Sequence, residues 1–159
     1  MGRPANRTDT TPTTCDGTGR RIAVVFARFN DTITEPLRDG AVALLRAAGV
    51  DDLEIIEVPG AFELPLACLM AARSGRFDAV VALGAVIRGG TDHYEHVCTQ
   101  TSRGVLDVQL QTGMPIGFGL LTCTDIDQAR ARAGGAAGNK GADAAEAALR
   151  MLAVRDRLR

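Results

Sequence analysis

From Arg20 onward, short apolar runs alternate with stretches in which apolar residues recur every three or four positions. The runs at 21–27, 53–58, 78–83 and 116–122 predict four strands. Helical spacing predicts helices over 31–48, 62–73, 94–111, 125–133 and 141–157, with Gly49, Gly75 and Gly113 closing the first three and Asp31 capping the first. Mostly apolar strands separated by helices indicate a parallel sheet buried on both faces. The expected class is α/β: a three-layer flavodoxin-like sandwich, with a four-stranded parallel sheet covered by helices on both faces. Residues 1–19 are rich in Thr, Arg and Gly and read as a flexible N-terminal arm, leaving 20–159 as a single domain. The small-residue run at 133–141 reads as a connection.

Composition narrows the functional classes. The 159 residues are 46% hydrophobic and 23% charged, the balance of one domain with one core. With 18 basic against 19 acidic side chains, the net charge of −1 gives no global electrostatic case for nucleic acid or an anionic membrane. No window resembles a membrane span or the apolar core of a signal peptide, so a cytoplasmic location is expected. Cys15, Cys68, Cys98 and Cys123 form no CxxC pair, which suits reduced thiols better than a disulfide frame or a zinc site. The first strand runs into ARFND rather than GxGxxG, and GAAGNKG lacks the GK[ST] of a P-loop, so dinucleotide-dependent and NTPase chemistry is disfavoured.

In parallel sheets ligands bind beyond the carboxyl ends of the strands, which directs attention to 28–31, 59–63, 84–93 and 122–125. Residues 84–97 read GAVIRGGTDHYEHV. Gly89 and Gly90 let backbone approach a ligand, and free amides at the following helix start suit a phosphate; an ordinary strand-to-helix turn fits equally well. His93, at that helix start, is a candidate proton carrier. His93 and His96 at i,i+3, with Asp92, Glu95 and Cys98 nearby, lack a convincing third ligand, so no metal is expected. Of only six aromatic residues, Phe29, Phe62 and Tyr94 follow strand ends and Phe118 lies in the fourth strand, a distribution suited to a planar heterocycle. Asn30 and Glu63 are polar neighbours that could bond a sugar alcohol or cap a helix. Lys140 is the single lysine beside 17 arginines, and Arg132 could grip a phosphate with its planar fork.

Five co-linear blocks, ARFND, VPGAFELP, GAVIRGGTDHYEHV, PIGFGLLT and RAGGAAGNKGADAA, resemble the 6,7-dimethyl-8-ribityllumazine synthase family over about residues 21–154. The resemblance implies a cofactor-free condensation of 5-amino-6-(D-ribitylamino)uracil with 3,4-dihydroxy-2-butanone 4-phosphate, the penultimate step of riboflavin biosynthesis. It implies that Phe29 stacks on the pyrimidine, with Asn30, Ala61, Phe62 and Glu63 around the ribityl chain and Val86 and Ile87 lining the heterocycle slot. Gly90 and Thr91 match the phosphate loop, and His93 the proton-transfer histidine. Phe118, Arg132 and Lys140 match residues contributed by the next subunit, with Arg132 on the phosphate and Asp143 orienting the charged cluster. It further implies a homo-oligomer of pentamers with sites shared between subunits, and it admits a 60-subunit shell and a riboflavin synthase partner. Two alternatives remain at this point: a related riboflavin synthase of the same fold, and a non-catalytic shell protein that binds lumazine or flavin.

Overall fold

β1 (Arg21–Ala27) is buried at every position after the first, as a central strand with helices above and below must be. It pairs in parallel with β2 (Asp52–Val58) on one side and β3 (Ala79–Ile87) on the other, and β3 pairs with β4 (Ile116–Cys123), giving the order β2-β1-β3-β4. The computed structural model describes residues 15–159. α2 (Leu64–Arg73), entered through a 3-10 turn at Ala61–Glu63, packs with α3 (His93–Thr112) on one face of the sheet. α1 (Asp31–Ala47), α4 (Ile126–Arg132) and α5 (Lys140–Leu158) cover the other. This is the expected three-layer sandwich with its four-stranded parallel sheet.

Three local readings are corrected. The strand expected to end at residue 83 continues to Ile87, because Gly84 to Ile87 pair with Leu120 to Cys123. Gly84 is no breaker here: a Cβ on it would press Leu120 from β4 and Leu64 from α2, so glycine lets α2 lie close on the sheet. The run 133–141 is not a plain connection, since β5 (Ala133–Gly135) and β6 (Gly138–Asn139) form an antiparallel hairpin. The cap of α1 is Asn30 rather than Asp31, with left-handed backbone at φ 64°.

Most of the arm read at 1–19 lies outside the described residues. Of its last five residues, Cys15 sits against the core and Gly17 is buried, its amide donating to the Ala48 carbonyl (2.7 Å). Among the described residues, no helix is long and apolar enough to cross a membrane.

Candidate active site

Two clefts open near the carboxyl end of the sheet, and no residue lines both. The larger, about 710 Å³, lies on the α2–α3 side, where the ends of β1, β2 and β3 meet the start of α3. Phe29 and Phe62 stand at it, 71% and 60% exposed, and such rings in water call for a partner surface. Ala61, Glu63, Val86, Ile87, Thr91 and His93 share this cleft, as does Asn30. The Asn30 amide is committed to the fold, Nδ2 donating to the Ala85 carbonyl (2.8 Å), which fastens the turn carrying Phe29 to the end of β3.

At the far wall, α3 begins without a side-chain cap. The His93 amide donates weakly to Thr91 Oγ1 (3.4 Å) and the Glu95 and His96 amides donate to the Asp92 carbonyl (3.1 and 3.4 Å), so the first turn has the Tyr94 amide to offer an anion. Gly89 and Thr91 line the cleft; Gly90 lies between them with open space around its Cα, and is not itself a lining residue. Tyr94 anchors this corner. Its hydroxyl lies near the Thr122 and Cys98 side chains, and Arg88 lies over its ring at 4.6 Å. Burial, followed by the neighbouring Cys98, holds the phenol above its ordinary pKa.

The second cleft, about 380 Å³, runs along the free edge of β4. Phe118, 44% exposed, shares it with Arg132, Lys140 and Asp143. Arg132 ends α4, where one guanidinium N–H donates to the Gln128 carbonyl (3.0 Å). Lys140 begins α5 and bonds Asp143 (2.7 Å) one turn on. Burial raises the Cys123 thiol, and the Arg132 charge opposes that rise from the same cleft. Among the described residues, no three His, Cys, Asp or Glu side chains gather as a metal-ligating group.

The candidates thus fall into two sets: Phe29, Asn30, Ala61, Phe62, Glu63, Val86, Ile87, Thr91 and His93 in one cleft, and Phe118, Arg132, Lys140 and Asp143 in the other. Sequence reasoning missed Gly60, Ala85 and Val97 in the first cleft and Gln128, Ala144 and Ala147 in the second. For Ala144 and Ala147 the signal was the helical spacing from Lys140 and Asp143, which puts all four near one face of α5.

The model of the 6,7-dimethyl-8-ribityllumazine synthase family matches residues 19–156. The synthase of Desulfovibrio desulfuricans is 49% identical over 145 residues, covering 90% of this chain and 93% of its own. Those of Gemmatimonas aurantiaca and Halorhodospira halophila are 51% and 53% identical over 143 and 134 residues, covering 89% and 83% of this chain and 87% and 86% of theirs. With a family match over nearly all of the described fold, and relatives of this identity along most of their own length, the chain belongs to the 6,7-dimethyl-8-ribityllumazine synthase family.

Proposed function

We propose that the protein is the transferase that condenses 5-amino-6-(D-ribitylamino)uracil with 3,4-dihydroxy-2-butanone 4-phosphate to 6,7-dimethyl-8-ribityllumazine, with release of phosphate and two waters. The observation that carries this reading is the family match from residue 19 to 156, joined to a cleft that sets aromatic rings opposite an uncapped helix start.

The residues divide the work as follows. Phe29 stacks on the pyrimidine, Val86 and Ile87 hold its edge, and Ala61, Phe62, Glu63 and the Asn30 turn surround the ribityl chain. The amine attacks the ketone to give an imine and water. Loss of phosphate then requires a proton from the adjacent carbon, and ring closure expels the second water. His93 beside the phosphate loop shuttles these protons. Gly90, Thr91 and the Tyr94 amide in the first turn of α3 hold the phosphate, whose departing charge Arg132 stabilises. Holding both reactants in one slot turns a bimolecular encounter into an oriented reaction.

In this reading the site is shared. One chain supplies the Phe29 and His93 cleft, and its neighbour supplies Phe118, Arg132, Lys140 and Asp143. Pentamers are the unit of assembly, and the short hairpin turn at 134–138, with no insertion, favours closure into a 60-subunit shell. The enzyme works in the cytoplasm without metal or nucleotide. Purified protein given both substrates and a chelator is expected to release phosphate and form a fluorescent lumazine together. Activity lost to chelator and restored by metal would overturn the cofactor-free mechanism; binding of the pyrimidine without any turnover would favour a shell protein devoid of chemistry.

A further inference from the structure

We infer that Asn139 is a positioning residue for the reaction, acting on Lys140 by clamping the first turn of α5 to α1; this rests on the reading above that Lys140 works in the site. Asn139 closes the β5–β6 hairpin and caps α5. Its Oδ1 accepts from the Gly141 and Ala142 amides (2.9 and 3.1 Å), and its Nδ2 donates to the Pro36 carbonyl of α1 (2.9 Å). Only one orientation of the amide satisfies all three partners, because the oxygen must face two N–H groups and the nitrogen a carbonyl.

The space around this amide is fitted to it. A Cβ on Gly40 of α1 would collide with the Asn139 amide, and one on Gly141 would collide with the Leu37 carbonyl. Both helices therefore need glycine where they close on the clamp. Helix capping alone would be satisfied by serine, which presents an oxygen to the same amides. The bond to Pro36 is the addition, and it fixes how far the start of α5 stands from α1. That start is Lys140, whose ammonium reaches Asp143 in the cleft along β4. A lysine with four rotatable carbons is placed only as well as its backbone is, so the clamp sets where its charge can be delivered.

Asn139→Ser keeps the cap and removes the bond to α1, while Gly40→Ala fills the hollow that the amide occupies. Both are measured, with the double variant and Lys140→Ala, for kcat, for KM of each substrate and for melting temperature, at a temperature well below melting. Each single change is expected to lower kcat about tenfold or more, as small displacements of a reacting group do, with the pyrimidine KM unchanged. The double variant is expected to be no worse than the poorer single one, since serine leaves room for the added methyl. Lower melting temperature with wild-type kcat in Asn139→Ser would reduce Asn139 to a stability role and overturn the inference, as would a pyrimidine KM that rises in step with the loss of kcat. Full turnover by Lys140→Ala would instead overturn the reading on which it rests. Should Gly40→Ala fail to fold, the capped Asn139→Ser protein decides alone.

Discussion

Arg132 illustrates how little of a side chain the fold itself needs here. One of its N–H groups is bound to the Gln128 carbonyl in its own helix, and the exposed guanidinium otherwise faces the cleft along β4. A planar fork with donors to spare suits a phosphate, which accepts two parallel bonds from it. Arg132→Ala is therefore expected to raise the KM for the phosphorylated substrate about tenfold to a hundredfold, the worth of one or two charge-assisted hydrogen bonds. Arg132→Lys is expected to recover part of this and not all, because the charge returns without the fork. Steady-state kinetics with each substrate varied in turn checks both; an unchanged KM for the phosphorylated substrate in Arg132→Ala would remove this residue from the phosphate.

At the scale of elements, the strand ends away from the clefts are tied by charge. Asp78, just before β3, accepts the Arg21 amide of β1 (2.8 Å) and pairs with the Arg21 guanidinium (3.3 Å). Burial opposes ionisation of Asp78, but the Arg21 hydrogen bonds, together with the Arg21 and Arg20 charges, outweigh it and hold its pKa below the ordinary value. A carboxylate depressed in the folded state adds stability above its unfolded pKa of about 3.9, and this is lost as pH falls through the folded value. The melting-temperature gap between wild type and Asp78→Asn is expected to be widest near neutral pH and to close as pH drops below about 4; a gap independent of pH would contradict this.

Elements with a strong hydrophobic period are legible in the chain itself. The four strands and five main helices were legible because buried parallel strands and amphipathic helices carry opposite periodicities. The β5–β6 hairpin was not, since Ala-Gly-Gly and Gly-Asn have no alternating apolar face, and Gly134 and Gly138 take positive φ. The end of β3 was missed for a related reason: Gly84 reads as a stop, whereas here it marks a close helix–sheet approach. The aromatic and charged candidates were legible as residue types near strand ends. Their division into two groups came from the family resemblance and not from periodicity, which does not reveal that β4 is an edge strand.

For the whole molecule, the division between clefts matters most. Phe29, Phe62 and Phe118 are exposed large apolar side chains, as are Leu66 and Met70 on α2 and Leu106 and Leu110 on α3. A chain with this much apolar surface and two half-furnished clefts gains a closed, water-poor site by placing a copy of itself over its open end. The direct test mixes His93→Ala chains with Arg132→Ala chains in equal amounts, unfolds them and lets them assemble together, with the native mass confirming mixed particles and activity read at phosphorylated substrate well below the wild-type KM, where each parent is nearly silent. An intact shared site needs an Arg132→Ala chain supplying His93 beside a His93→Ala chain supplying Arg132, which random cyclic assembly gives with probability one half times one half. Recovery of about a quarter of wild-type activity is expected; mixed particles no more active than their parents would contradict the shared site and place His93 and Arg132 in one chain's pocket.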